Sequence, residues 1–351
     1  MTSLNFDPLD RDLKGRKVLV ALSGGIDSSI SAYLLKERGA EVIGVTFDFI
    51  SDNQSISDAK ASAELLDIPH LVVDMRGHFE ESIIRNFIEV YSHCSTPNPC
   101  IECNVKMKWG GLVKIAEDLG IKLLATGHFA RASDGFVFRG LDDKKDQSYF
   151  LYRVPKKWIR RTLFPLGGFL KSDVQILARG MALPSSDRRE SNDVCFFKKG
   201  KLVEFLSMSG IENYPGEFVD LTGEKLGQHN GWVGFTPGQR RGMGVASSEG
   251  RLYVVDVDSI DSRVILGPRS ALMCKEIITT GTIFHDKLDI GEEKRYLIQI
   301  RHLGETIFGN VRRTGEEASI INLEKDLFAP ARGQSAVFYS GDRVAGGGYI
   351  A

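Results

Sequence analysis

The sequence predicts an α/β chain: an N-terminal domain built on a parallel sheet, followed by two small β domains, the last of them barrel-like. Three observations predict it. Short apolar runs alternate with helix-patterned segments over residues 1–126. A Gly- and Ser-rich stretch, SGGIDSS at 23–29, joins the first apolar run to the first helix. The last third of the chain turns to short alternating patterns broken by glycine-containing turns.

In order, KVLVALS (17–23) reads as a buried parallel strand, because it is short and rich in Val and Leu. SSISAYLLKERG follows with helical spacing and ends at Gly39, a residue suited to a helix C-terminus. EVIGVTF is the next strand, SDAKASAELLD a helix closed before Pro69, and HLVVDM a third strand. FEESIIRNFIEVYSH and KMKWGGLVKIAEDLG are helices, the second ending at Gly120, and KLLAT is a further strand. Repeated βα units imply a parallel sheet with helices on both faces, and ligands in such sheets bind at the carboxyl ends of the strands. GRLYVVDVD, RVILG, KRYLIQIRH, TIFGNVRR, ASIINLE and SAVFYSGDRVAGGGYI are short strands, and FYSGDRV reads as a hairpin. The expected division is 1–200, 201–268 and 269–351.

The chain has 351 residues, 42% hydrophobic and 26% charged, an ordinary globular composition that can bury cores of normal size. Five cysteines at irregular spacing argue against a secreted disulfide framework. No apolar run is long enough to span a membrane, and the chain is read as cytoplasmic, with no membrane partner. A net charge of −1 neither suggests nor excludes nucleic acid, so any binding face must come from local clusters such as RVPKKWIRR (153–161), DRR (187–189), KKGK (198–201), QRR (239–241) and VRR (311–313). Any one cluster alone is better read as a solvated surface.

SGGIDSS suits an anion. Gly24 and Gly25 let the backbone turn and its N–H groups approach a phosphate. The helix that follows points its positive end at the same place. Ser23, Ser28 and Ser29 can add hydroxyls, and Asp27 makes sense if it helps hold magnesium or orients a nucleotide. The alternative is a tight serine-rich turn without a ligand. The loop is neither a Walker A nor a dinucleotide fingerprint. It resembles the PP-loop of the ATP pyrophosphatases, adenine nucleotide α-hydrolase-like enzymes that cleave ATP between the α and β phosphates.

Four further segments carry chemistry-bearing residues. TPNPCIECN (96–104) holds a C-x-x-C, Cys100 and Cys103, on a proline-stiffened loop. ATGHFAR places Gly127 and His128 at the end of a strand, where His128 also fits a packing role. KDQSYFLY places Lys145, Asp146 and Gln147 before an aromatic run, and a charged turn before a core helix is the other reading. NDVCFF holds Cys195, either a guarded nucleophile or an inert small hydrophobe.

With LFPLG, GEFVDLTGEKLGQHNG, TPGQRRGMG, IRHLGE and GQSAVFYSGDRVAGGGYI, these motifs resemble the tRNA-specific 2-thiouridylases along essentially the whole chain. The resemblance implies ATP-dependent replacement of the oxygen at carbon 2 of a wobble uridine by sulfur, with ATP and Mg2+ as cofactors. It also implies tRNA, through its anticodon stem-loop, as partner, and a sulfur donor such as a cysteine desulfurase or a sulfur-relay protein. By position Cys195 resembles the persulfide carrier and Cys103 the second thiol, whose thiolate would act on the persulfide. Ala21, Leu22, Ser23, Gly24, Gly25, Ile26, Asp27, Ser28, Ser29, Phe47 and Gly127 match ATP-binding positions. Asn98, Pro99 and Cys100 match the segment touching the target base. His128, Lys145, Asp146, Gln147, Arg301, His302 and Gln334 match tRNA contacts.

The chain departs from the family at Cys100, where members usually carry Asp, and at Phe47, where Met is frequent. A thiol cannot replace a carboxyl of much lower pKa like for like. Three readings of Cys100 compete: with Cys103 and Cys195 it ligates a 4Fe–4S cluster, it is a redox partner of a Cys103–Cys195 disulfide, or it has no task. Cys94 and Cys274 read as structural. Two other functions compete with the whole reading: an ammonia-using PP-loop synthetase, which would need neither Cys103 nor Cys195, and a non-enzymatic iron–sulfur or RNA-binding protein, which would leave SGGIDSS without a purpose.

Overall fold

The computed structural model describes residues 12–186, 194–245 and 250–351. The DRR cluster at 187–189 and Asn192 and Asp193 of NDVCFF lie outside the described residues. The chain divides into two compact units. The first comprises Met1–Ile83, Cys100–Ser191 and Tyr339–Ala345; the second comprises Ile84–Pro99, Asn192–Phe338 and Gly346–Ala351.

In the first unit the strands β1 (Lys17–Ala21), β2 (Glu41–Asp48), β3 (His70–Asp74), β4 (Leu123–Ala125) and β7 (Thr162–Leu163) form a sheet in the order β3-β2-β1-β4-β7. Each neighbouring pair runs parallel. Val18, Leu19 and Val20 of β1 are fully buried, as a central strand covered on both faces must be. Helix α1 (Ile26–Glu37) follows the glycine loop and ends two residues before Gly39, which adopts φ +78°. Helix α2 (Asn53–Leu65) is capped by Asp52, whose carboxylate accepts from the Ser55 N–H at 3.2 Å. Between β4 and β7 lies a hairpin absent from the sequence expectation, β5 (Ala130–Ser133) with β6 (Phe136–Arg139). The segment Tyr339–Ala345 joins it through the pair Arg343↔Phe138.

The helix expected to begin near Lys106 begins at Pro99, a residue suited to a first helical position. It is α-helical over Pro99–Glu102, π-helical over Cys103–Trp109 and α-helical again over Gly110–Asp118. A second π segment, Glu80–Ile84, interrupts the helical stretch before it. The helix expected after KDQ is a single 3-10 turn, Ser148–Leu151.

In the second unit, β8 (Gly216–Val219), β9 (Lys225–His229), β10 (Tyr253–Asp258) and β11 (Arg263–Gly267) form a small sheet in the order β10-β11-β8-β9. A short helix, Leu202–Met208, stands in the stretch read as purely β. The rest is a closed barrel of β12 (Met273–Phe284), β13 (Glu293–Gln299), β14 (Thr306–Gly315), β15 (Ala318–Phe328), β16 (Ser335–Ser340) and β17 (Arg343–Ile350). Its order is β12-β15-β14-β13-β16-β17, and β17 pairs back onto β12 through Thr279↔Ile350 and Phe284↔Gly346. Closure leaves the barrel without a free edge. No helix among the described residues is long and apolar enough to cross a membrane.

Candidate active site

In the first unit the loop after β1 is held from three sides. Leu22 extends the ladder, its N–H donating to the Val45 carbonyl at 2.8 Å. Behind it, the Thr46 hydroxyl donates to the Leu22 carbonyl at 2.7 Å and pairs with His70 Nε2 at 2.8 Å. With its proton on Leu22, the hydroxyl accepts from His70 Nε2–H, which assigns that tautomer. Gly24, at φ +77°, packs against α2: a Cβ there would lie 2.2 Å from the Ser55 carbonyl oxygen. Gly127, at the carboxyl end of β4, packs against the start of α1: a Cβ there would lie 2.7 Å from the Ser28 nitrogen. Glycine is needed at both places because two backbones meet.

The serines divide their tasks differently from the expectation that all three hydroxyls face the anion. Ser28 and Ser29 are buried, and both donate to the Gly25 carbonyl, at 3.0 and 3.1 Å. Ser28 Oγ also accepts from the Ser23 N–H at 3.0 Å. A hydroxyl has one proton to donate, so Ser28 and Ser29 shape the loop, and exposed Ser23 is the hydroxyl at its surface. Asp27, in the first turn of α1, is paired with Lys171, whose Nζ stands 2.6 Å from Oδ1. Sequence reading passed over Lys171, because nothing local marks a partner 144 positions away. Phe47 is half-buried at the end of β2 and packs against Gly111, where a Cβ would come within 2.7 Å of its ring.

Cys103 opens the π segment and is buried, while Cys100 is exposed one turn earlier. π segments inside helices concentrate at functional places, because the wider turn re-aims side chains at a cost in hydrogen bonding. Cys100 keeps accessible area but lies in a recess with protein on most sides. Desolvation there pushes its thiol pKa up, and the Lys108 charge opposes the shift. It is therefore a thiol rather than a thiolate near neutral pH. Among the described residues no three His, Cys, Asp or Glu side chains group as metal ligands.

In the second unit the stretch 96–99, which leads into the positions matched to base contact, is clasped by the strand end carrying GQS. The Gln334 side-chain amide donates to the carbonyls of Thr96 at 2.9 Å and Pro97 at 3.3 Å, and the Thr96 N–H donates to the Arg332 carbonyl at 2.7 Å. Two prolines strip this stretch of N–H donors, so its shape depends on donors brought to it. Cys195 is exposed, and the two residues after it anchor its loop. Phe196 packs edge-on against Phe87 with ring centroids 5.0 Å apart, and Phe197 stacks on Phe205 at 5.2 Å. The apolar company is an anchor beside the thiol rather than a cover over it. Cys94 packs against the same aromatic core.

Comparison with known proteins gives these residues a family. Residues 16–199 match a family described as the tRNA methyl transferase HUP domain, 203–268 its PRC-barrel domain, and 274–350 the aminomethyltransferase beta-barrel domain. The chain is 38% identical over 355 residues to the tRNA-specific 2-thiouridylase MnmA 1 of Caldanaerobacter subterraneus subsp. tengcongensis, covering 95% of this chain and 97% of that protein. It is 37% identical over 376 residues to the tRNA-specific 2-thiouridylase MnmA of Rhodospirillum centenum, covering 100% and 94%. It is 38% identical over 352 residues to the protein of the same name from Chloroflexus aurantiacus, covering 95% and 98%. The chain belongs to the MnmA family of tRNA-specific 2-thiouridylases.

For an MnmA-family chain, the positions matched to tRNA contacts fall into two groups. His128, Asp146 and Gln147 are taken up inside the first unit. His128 is buried, hydrogen-bonded to Thr126 at 2.8 Å and packed on Trp109 with ring centroids 5.4 Å apart. Burial, helped by the Lys108 charge, holds its pKa well below the ordinary value, so it is a neutral ring in the core. The packing role weighed in the sequence describes it better than a phosphate contact. Gln147 Oε1 accepts from the Phe129 N–H at 2.9 Å. Asp146 is buried and accepts from the N–H groups of Gly140 at 3.0 Å and Ser148 at 3.1 Å, and from Arg139 at 3.2 Å. Arg139 lies over the Tyr339 ring, 3.8 Å from its centroid. Replacing Asp146 with Ala would remove the acceptor of two N–H groups and the carboxylate partner of a largely buried guanidinium. Equilibrium denaturation should show a loss of about 3–5 kcal/mol.

The second group keeps access to solvent. Lys145 and His302 are half-buried and Arg301 is exposed. Arg301 also donates to the carbonyls of Phe328 and Ala329, at 3.1 and 3.3 Å, which fixes its direction.

Proposed function

We propose that the protein is a tRNA 2-thiouridylase, using ATP to activate the 2-oxygen of a wobble uridine and replacing that oxygen with sulfur. Membership of a family of that activity over 95% or more of the chain carries the reading. The division 1–200, 201–268 and 269–351 goes with it as catalytic, central and RNA-contacting parts.

Oxide is a poor leaving group from a resonance-stabilised carbonyl carbon. Attack of the uracil 2-oxygen on the α-phosphorus of ATP releases pyrophosphate and converts that oxygen into part of AMP, a good leaving group. The Ser23–Ser29 loop, its backbone N–H groups and the start of α1 hold the phosphates. Asp27 is the carboxylate that the loop offers to a magnesium ion, which would supply positive charge for the leaving pyrophosphate. Cys195, exposed on its anchored loop, attacks the outer sulfur of a persulfide donor and becomes a persulfide as the donor's thiol leaves. The terminal sulfur attacks carbon 2 and AMP leaves. The Cys103 thiolate then attacks the Cys195 sulfur, leaving the transferred sulfur on the base and a disulfide between the two cysteines. Two electrons from a thiol reductant restore both thiols. Lys145, Arg301 and His302 face the tRNA, whose single-stranded wobble base can be splayed into a pocket. Cys100, a desolvated thiol, has no required thiolate task in this scheme.

The family description raises methyl transfer as a second reading. A loop shaped for a departing pyrophosphate favours ATP over a methyl donor. Purified protein incubated with ATP and unmodified tRNA should release pyrophosphate only when tRNA is present, and with a persulfide donor should yield 2-thiouridine. No tRNA-dependent release, or a methylated product with S-adenosylmethionine, defeats the reading. Iron and acid-labile sulfide, measured on anaerobically prepared protein, should both be substoichiometric while thiolation is complete.

A further inference from the structure

The π segment Cys103–Trp109 and the helix that continues it, Gly110–Asp118, run along the carboxyl edge of the parallel sheet. Two contacts fix them there. Trp109 packs on His128, just past the end of β4, with ring centroids 5.4 Å apart. Gly111 packs against Phe47 at the end of β2 and Met75 just after β3: a Cβ there would lie 2.7 Å from the ring and 3.2 Å from the sulfur. Residue 108 is thus held at the rim on which the phosphate loop opens.

Lys108 is half-buried at that rim. Among the described residues it has neither a carboxylate nor a hydrogen-bond partner. Lys106, exposed two positions earlier, does find a carboxylate, Glu102 at 2.9 Å. Holding a charge partly out of water without a counter-charge is costly. An anion that arrives with the substrate explains the placement. The charge has a neighbour on either side. Burial dominates the pKa of both Cys100 and His128, raising the first and lowering the second, and the Lys108 charge acts on each. Cys100 is one of the positions matched to base contact. His128 follows Gly127, whose Cβ would lie 2.7 Å from the Ser28 nitrogen at the start of α1. The ammonium therefore lies between the base side of the site and the phosphate loop. In adenylation, the group between a uracil oxygen and a departing pyrophosphate is the α-phosphate.

We propose that Lys108 is the cation that binds the α-phosphate of ATP, neutralising it during attack and holding it until AMP leaves. The proposal rests on the adenylating reading above. The uracil 2-oxygen gives an electron pair to the α-phosphorus as the bond from that phosphorus to the bridging oxygen breaks towards pyrophosphate. The N3 proton of the base passes to solvent. The two non-bridging oxygens stay negative throughout, and an ammonium with three N–H donors can serve both. A fixed positive charge lowers their repulsion of the attacking oxygen, and later stabilises AMP as it departs with its bonding pair.

The test titrates AMP and, separately, adenosine into the full chain by calorimetry. It also follows tRNA-dependent pyrophosphate release in a single turnover. Wild type is compared with Lys108→Met, Lys108→Gln and Lys108→Arg. Methionine and glutamine remove the charge. Both should weaken AMP about tenfold, leave adenosine and tRNA affinity within about twofold, and slow pyrophosphate release about a hundredfold at saturating ATP and tRNA. Arginine should recover most of both losses. If methionine prevents folding, judged by thermal unfolding, the glutamine variant decides. A folded charge-free variant that binds AMP and releases pyrophosphate like wild type overturns the proposal and leaves adenylation standing. So does a loss shared equally by adenosine, or one confined to tRNA affinity, which would put the ammonium on the RNA backbone. Wild-type protein that releases no pyrophosphate with tRNA overturns the adenylating reading and the proposal with it.

Discussion

Cys195→Ser should abolish formation of 2-thiouridine while leaving tRNA-dependent pyrophosphate release within about threefold of wild type. The two half-reactions use different groups. In the proposed scheme activation uses the loop between β1 and α1, which lies in the first unit; Cys195 belongs to the second. A hydroxyl cannot carry a persulfide, so no sulfur reaches the activated base. The substitution is small and exposed, so it should not disturb the Phe196 and Phe197 anchor. Cys103→Ser should also stop multiple turnover. It should leave a product-side intermediate, with the base joined through the transferred sulfur to Cys195, which a strong reductant releases as one equivalent of 2-thiouridine. Cys103 is buried, so its variant needs a check that its unfolding transition is unchanged. Full thiolation by Cys195→Ser would remove the persulfide from the scheme and admit free sulfide as the immediate donor. Loss of pyrophosphate release would mean that sulfur loading and activation are coupled.

The parallel sheet was legible because burial on both faces leaves a plain trace. Runs such as Val18-Leu19-Val20 have no polar residue to place, and the glycine loop that follows can only connect a strand to a helix end. The barrel strands were legible singly. Its first strand was not, because MCKEIITTGTIF mixes charged, apolar and glycine positions along twelve residues and pairs with two partners in turn. Closure is a long-range property that no single strand encodes.

At the site, residue types were legible and directions were not. Sequence alone could name Ser28 and Ser29 but could not show that their protons go to the Gly25 carbonyl. Gln334 stood in a motif matched to tRNA contact; its donors go to Thr96 and Pro97, about 240 positions earlier in the chain. Lys171 was invisible for the same reason. A π segment beginning at Cys103 leaves no periodic trace over seven residues, so the helix was expected to start later than it does.

Gly24→Ala should be the most damaging single methyl in the first unit, and two other glycines separate its causes. Gly24 combines a φ of +77° with a Cβ position 2.2 Å from the Ser55 carbonyl oxygen, which belongs to a helix backbone and cannot rotate away. Gly15 has a φ of +67° and nothing within 4 Å, so Gly15→Ala measures the backbone strain alone, about 1–2 kcal/mol. Gly127 meets the Ser28 nitrogen at 2.7 Å without a positive φ, so Gly127→Ala measures the steric conflict alone, about 1–3 kcal/mol. Gly24→Ala should lose roughly the sum, about 2–5 kcal/mol by denaturation. Nucleotide binding divides the three differently. Gly15→Ala should bind ATP normally, because its site is remote from the loop. Gly24→Ala and Gly127→Ala should weaken ATP more than tenfold even at temperatures where both remain folded, because each forces the loop's N–H groups out of line. If Gly24→Ala loses no more stability than Gly15→Ala, α2 yields to the methyl. The close approach of Ser55 is then not what requires glycine, and the loop's shape is set instead by the Ser28 and Ser29 bonds to Gly25.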